Sequence, residues 1–270
     1  MPVLKESKGH TIIKEMMAAQ GRQPFLFQEK TWEHIINGES GLVNAPTGCG
    51  KTYSVFLGAI IDFINHHPVD HKKIKNSGLQ LLWITPLRAL ATDIGRAMEE
   101  VIASIGMHWK VGIRNGDTST TERAKQKKQM PEVLIITPES LHLLIGQKGY
   151  AEIFSSLKII AVDEWHELLG SKRGVQVELA VSRIVGSRQS TDNRRQTTDD
   201  ITHHSPLSIW GISATIGNLQ EASDVLLAPL NRKKIKPNSG CELCCSTTTT
   251  FLLMGPCRLN EGRDFIACFA

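Results

Sequence analysis

Between residues 41 and 228, short apolar runs alternate with helical stretches, and no other feature limits the possible folds so strongly. The runs are 41–45 (GLVNA), 79–85 (LQLLWIT), 110–114 (KVGIR), 132–137 (EVLIIT), 158–163 (KIIAVD) and 207–213 (LSIWGIS). Segments 51–64, 87–105, 139–146, 174–185 and 218–227 read as helices. Near-continuous apolar strands separated by helices predict an α/β domain, its mostly parallel sheet covered by helices on both faces. There is no internal repeat. Segment 186–205 (GSRQSTDNRRQTTDDITHHS) has no apolar period and is expected to be an exposed loop.

Composition adds little beyond solubility. Hydrophobic residues make up 41% and charged residues 21% of the 270 residues, enough to bury a sizeable core. The amino terminus, MPVLKESKGHTIIKEMM, has no apolar stretch of signal-peptide length, and the most apolar helix (55–64) is short and broken by Asp62. A soluble cytoplasmic protein is expected. Of the net charge of +4, residues 229–270 contribute +3, with six Lys/Arg and three Asp/Glu. Any basic binding surface on the body must therefore be local. Five of the six cysteines (Cys241, Cys244, Cys245, Cys257, Cys268) also lie in that tail, leaving only Cys49 in the body.

The tail 229–270 has neither a helical nor a strand period. Cys241 and Cys244 have zinc-ligand spacing, but no second pair follows, so no metal site is expected there. The tail reads as a truncated or frame-shifted end without a recognisable fold, distinct from the domain 1–228.

Two stretches carry chemistry. NAPTGCGKT at 44–52 follows the first strand and opens a helix, the context of a Walker A phosphate loop. Thr47, Gly48, Cys49 and Gly50 supply backbone N–H groups to an anion at a helix N-terminus. Lys51 reaches the β- and γ-phosphates of ATP, and Thr52 offers a hydroxyl to Mg²⁺. Ala45 stands where the general pattern has Gly. The second stretch is LKIIAVDEWHELLG at 157–170, an apolar strand that ends on two acids. Asp163 is placed to hold Mg²⁺ through water opposite Thr52, and Glu164 to orient and deprotonate the water attacking the γ-phosphate.

Asp163-Glu164-Trp165-His166 resemble the DExH box of superfamily-two helicases, and other motifs of that family follow in order. FLFQEKTW at 25–32 resembles a Q motif, which implies Gln28 as adenine reader with Phe25 and Phe27 as stacking neighbours. TPLRAL at 85–90 resembles motif Ia, TPESL at 137–141 motif Ib, and SAT at 213–215 motif III. The stretches around the DExH box and the Q motif look most like the large-helicase-related (Lhr-type) group, nearest the bacterial ligase-associated DNA-repair enzymes. The resemblance covers roughly residues 20–228.

The resemblance implies a RecA-like first helicase domain, an ATPase that moves along one strand of nucleic acid, DNA rather than RNA. Thr85, Arg88 and Thr137 would then touch backbone phosphates, with RNGDT at 114–118 extending that track. His166, grouped with Lys51, Asp163 and Glu164 as catalytic, would meet Ser213 and Thr215 and couple the nucleotide to the track. A second RecA-like domain carrying arginine fingers is expected from the family, and nothing after residue 228 resembles it. Competing readings are an ATP-responsive nucleic-acid clamp without turnover, an RNA helicase domain, and a P-loop kinase. The kinase lacks an acceptor signature and leaves Gln28, TPES and SAT unexplained. RAKQKK at 123–128 reads as a solvated helix face, Trp32, Trp83, Trp109 and Trp210 as core, and Trp165 as partly exposed near the nucleotide.

Overall fold

The structure, a computed structural model, describes residue 4 and residues 7–195, 207–214, 216–230 and 249–253. Two helices, α1 (Lys8–Ala19) and α2 (Leu26–Ile36), precede the first strand. The six expected strands are all present: β1 (Ser40–Asn44), β2 (Leu81–Ile84), β3 (Val111–Arg114), β4 (Val133–Ile136), β5 (Ile159–Val162) and β6 (Ser208–Ser213). Helices α3 (Lys51–His66), α4 (Arg88–Ile105), α5 (Thr120–Lys128), α6 (Pro138–Ile145), α7 (Tyr150–Ile153), α8 (Trp165–Leu168), α9 (Lys172–Arg195) and α10 (Leu219–Leu227) lie between and after them. Among the described residues, no helix is long and apolar enough to cross a membrane.

Every strand pairing is parallel, and the order across the sheet is β3-β4-β2-β5-β6-β1, with β7 (Thr249–Leu253) on the outer edge of β1. This is the helix-covered parallel sheet that the strand–helix alternation predicts. The period-two pleat divides the strands between two cores. Leu81 and Trp83 of β2 join Trp32, Phe56, Ile60 and Trp210 beneath α1–α4. Leu82 and Ile84 join Leu134, Trp165, Val177 and Ile184 beneath α6–α10. Both faces of each central strand are thus buried, which is why those strands read as unbroken apolar runs.

One expectation fails here. Residues 186–195 are not a loop, because α9 continues unbroken to Arg195. One side chain in that stretch does anchor it: Arg188 donates to the carbonyls of Phe154 and Leu157, so polar capping of α7 replaces an apolar stripe. Residues 196–205 lie outside the described residues. Beyond α10, Ala228–Leu230 form a 3-10 turn and 249–253 add a parallel strand. The clustered cysteines lie outside the described residues.

Parallel strands send all their C-terminal ends to one side, and in open α/β sheets that side takes the ligand. The phosphate loop leaves β1, the DExH segment leaves β5, and β6 runs between them. Residue pairing fixes the row: Asn44 lies beside Ser213, and Val162 beside Gly211.

Candidate active site

The phosphate loop is held by its glycines and by one glutamine. Gly48 and Gly50 take φ of 78° and 72°, left-handed values that side-chain-bearing residues rarely adopt. A Cβ at Gly50 would also stand 2.9 Å from Nε2 of Gln28. That Nε2 donates to the Gly50 carbonyl at 2.9 Å, while Oε1 of Gln28 accepts from the backbone N–H of Phe25 at 2.9 Å. Gln28 is 2% exposed, so it pins the start of α2 to the start of α3. Its amide keeps one N–H and one lone pair beyond these bonds, the pair an adenine edge needs. Phe25 is exposed and stacks on buried Phe27 with centroids 5.9 Å apart.

Lys51 opens α3 and folds back over the loop. Its ammonium donates to the carbonyls of Ala45 at 2.8 Å and Pro46 at 3.1 Å. Burial pulls its pKa below the usual lysine range, against the opposing pull of the Glu164 and Asp163 carboxylates. The charge is therefore already partly dehydrated and stored over the cradle. Thr52 follows on the first turn of α3 and is half-buried.

Asp163 is 7% exposed at the end of β5. One carboxylate oxygen accepts from the backbone N–H of Glu164 at 3.0 Å, and the other from Nε1 of Trp83 at 3.4 Å. Burial, and next the neighbouring Glu164 charge, raise its pKa from 3.8 to about 7. Among the described residues no cation stands within ion-pairing distance of it. Glu164 itself takes φ 48° and ψ 46°, a left-handed conformation that costs a non-glycine residue of order 1–3 kcal/mol. Strained backbone at this position turns the chain sharply from strand into α8.

His166 sits on α8 with Nδ1 2.9 Å from Oγ of Ser213 and 3.4 Å from a Glu164 oxygen. The β6 end thus touches the DExH segment directly. Thr215 lies outside the described residues. Trp165 corrects an expectation: it is fully buried, and its Nε1 donates to the Ala222 carbonyl at 2.9 Å. Once the chain has turned at Glu164, the indole points under α10, away from any nucleotide. The other four tryptophans named as core are buried as expected.

The nucleic-acid residues divide. Arg88 is exposed and stands 3.9 Å from Asp117. Thr85 and Thr137 are buried, at 0% and 1% exposure. The Thr85 hydroxyl accepts from Leu87 N–H at 3.4 Å, and that of Thr137 donates to Ser140 at 3.2 Å. Both serve the strand-to-helix turns of β2–α4 and β4–α6. Sequence reasoning missed the group that joins those turns. Arg173, at the start of α9, donates to Glu139 at 2.7 Å and to the Pro86 carbonyl at 2.9 Å. Burial pushes the Glu139 carboxyl up, but its own backbone N–H and the Arg173 guanidinium outweigh it and hold it below the usual range. The only hint in the sequence was a basic residue shortly after the DExH box.

A parallel sheet with a glycine-bent phosphate loop on one strand and an Asp-Glu pair on another defines a P-loop nucleotide-binding domain. The sequence pattern of the DEAD/DEAH box helicase family matches residues 25–222. The chain belongs to that family. It is similar to the Lhr helicase/uracil glycosylase of Escherichia coli, with 33% identity over 76% of this chain and 13% of that protein. It is 34% identical to the ATP-dependent helicase Lhr-Core of Methanothermobacter thermautotrophicus over 56% of this chain and 18% of that one. The solved structure of Mycobacterium smegmatis Lhr bound to single-stranded DNA and AMP-PNP superposes with a TM-score of 0.64 at 30% identity, covering 80% of this chain and 26% of that one. The chain thus spans less than a fifth of the curated relatives named here.

Proposed function

We propose that this chain is an ATP-binding, nucleic-acid-dependent ATPase domain of a DNA helicase. The observation that carries the reading is the convergence of Lys51, Asp163 and Glu164, one stored cation and two carboxylates, over an open glycine loop. Lys51 swings from the Ala45 and Pro46 carbonyls to the phosphates, exchanging neutral acceptors for charged ones. Gln28 and Phe25 take the adenine.

The donor set suits Mg²⁺. Asp163 is a desolvated carboxylate without a cation in contact, and with the Thr52 hydroxyl it offers the oxygen ligands a hard cation prefers. When bound, the ion neutralises charge on the phosphate oxygens. Glu164 accepts the proton of the attacking water, and His166 passes the state of that site to Ser213. The family match and the AMP-PNP in the Mycobacterium smegmatis relative's structure support these roles.

DNA is favoured over RNA because that same relative was solved with single-stranded DNA. A role in repair rests on family likeness alone. Steady-state ATP hydrolysis, with and without single-stranded DNA or RNA, tests the proposal on wild type and Glu164→Gln. DNA should stimulate the wild type more than RNA does. The variant, unable to accept the proton, should lose about 10²- to 10⁴-fold in turnover. Equal turnover in both proteins would remove Glu164 from the reaction and favour a clamp that does not turn over.

A further inference from the structure

At the end of the sheet opposite the phosphate loop lies a second recess, of about 210 Å³. Ala59, Asp62, Phe63 and His66 form one wall, spaced so that they share a face of α3. Gln80 and Ile159, where β2 and β5 begin, place the recess at the strand starts, and Lys158 and Trp109 also line it. Interiors hold few voids larger than a water molecule, so a recess of this size beside the core is space for a ligand.

The charged groups here are incompletely paired. Nδ1 of His66 donates to the Asp62 carbonyl at 2.8 Å and stands 3.4 Å from the Asp62 carboxylate. The hydrogen bond to Asp62 lifts the His66 pKa from 6.5 to about 9, so the ring is protonated at neutral pH and Nε2 is a second donor. Lys158 is half-buried. Burial pulls its pKa below the usual lysine range; Asp62 opposes this, and Arg188 adds to it. Arg188 itself is committed to the carbonyls of Phe154 and Leu157. Among the described residues, neither His66 Nε2 nor the Lys158 ammonium meets a hydrogen-bond acceptor or an acid.

The remaining wall is aromatic. Phe63 meets Trp109 edge to face, with centroids 4.9 Å apart. Trp109 is 6% exposed, and its Nε1 is buried without a partner. An aromatic cage for an organic cation would leave a carboxylate unpaired, whereas here the unpaired groups are cations. Asp62 balances one of the two cations lining the recess and leaves the other for a monoanion. A phosphate monoester, with a charge of about −1.5 to −2 at pH 7, would be repelled by Asp62. The volume is below the roughly 300–1,000 Å³ of sites for drug-sized ligands, so the occupant is small.

We infer that this recess is a second ligand site, taking a small single-ring aromatic carboxylate with its acid group on Lys158 and His66 and its ring against Phe63 and Trp109. Phe63 lies about 18 Å along α3 from Lys51, so the site is separate from the nucleotide.

The probes are benzoate, its neutral amide benzamide, and phenyl phosphate. Each is titrated into wild type, Lys158→Met and His66→Gln by ligand-observed NMR, with thermal melting of each protein alongside. Benzoate should bind wild type with a Kd of about 1 mM or tighter, within reach of a compact ligand in a small site. Mg·ATP should not displace it. Benzamide and phenyl phosphate should bind at least about 10-fold more weakly. Lys158→Met should lose about 10- to 100-fold in benzoate affinity. Its melting temperature should not fall, since an unpaired half-buried cation has been removed. If that variant does not fold, His66→Gln carries the test, with an expected loss of about 3- to 10-fold.

No saturable binding of benzoate to wild type, or equal binding to wild type and both variants, would overturn the site. Benzamide binding as tightly as benzoate would overturn recognition by charge. Phenyl phosphate binding more tightly would overturn the choice of a carboxylate. Displacement of benzoate by Mg·ATP would put it in the phosphate loop and overturn the location.

Discussion

Replacing Asp163 by Asn should make the unliganded protein more stable at neutral pH while removing its use for ATP. The carboxylate is buried beside Glu164, and its pKa stands at about 7 where the ordinary value is 3.8. Between those pH values the unfolded chain has released this proton and the folded chain has kept it. Stability must therefore fall as pH rises from about 4 to 7 and stay low above that. At about 1.4 kcal/mol for each unit of pKa, the full cost is roughly 4 kcal/mol.

Asn keeps an oxygen for the Glu164 N–H, but its amide meets the Trp83 N–H donor to donor. That offsets about 1 kcal/mol and leaves a net gain of roughly 3 kcal/mol. For a domain of this size the melting temperature should rise by roughly 6–12 °C at pH 8. The assay is thermal or urea unfolding of both proteins from pH 4 to pH 8, without nucleotide. The gap should be near zero or slightly negative at pH 4, widen as pH rises from 4 to 7, and stay constant above 7. A gap that does not depend on pH would refute the idea that Asp163 is stored at an electrostatic cost.

Gly174→Ala should destabilise the domain by about 1–3 kcal/mol in urea unfolding, although Ala favours helices, because its Cβ would stand 2.0 Å from the Leu168 carbonyl oxygen. Stability equal to wild type would mean that α8 and α9 shift freely against each other. Arg173→Met should cost roughly 1 kcal/mol, given how exposed the Glu139 pair is. It should also reduce stimulation of ATPase by single-stranded DNA, since the motif Ia and Ib turns lose their common tie; a stability loss with stimulation intact would make Arg173 purely structural. His66, held by Asp62, has its pKa raised from 6.5 to about 9. Its stabilising contribution is complete below pH 6.5 and disappears as pH rises through 9. Solvent screening limits it to less than about 1 kcal/mol, read as the melting difference between wild type and His66→Gln across that range.

Strands and site halves were legible because their signals are local. A run such as LQLLWIT is apolar on both faces whatever surrounds it, and the phosphate loop announces itself by glycine spacing before a helix. Burial of polar residues was not legible. Thr85 and Thr137 stand at strand ends before helices, where a threonine can equally face solvent or cap a turn. Only the packing of α4 and α6 decides between the two, and it buries both hydroxyls. Trp165 follows the catalytic pair in sequence, yet the left-handed Glu164 reverses the chain and sends the indole inward. Residues 186–195 carry no apolar stripe, so their helix is visible only as an extension of the packed segment before it. RAKQKK was read correctly for its exposed lysines, whereas Arg123 turns toward the Asn115 loop.

The most direct test of the central claim is calorimetric titration of Mg·ATP into wild type, Lys51→Ala and Glu164→Gln. In the geometry described, Lys51 supplies the only cation stored over the cradle among the described residues, whereas Glu164 acts on water and not on the nucleotide. Wild type and Glu164→Gln should saturate with similar affinity, and Lys51→Ala should show no saturable binding. Equal affinity in wild type and Lys51→Ala would contradict the account.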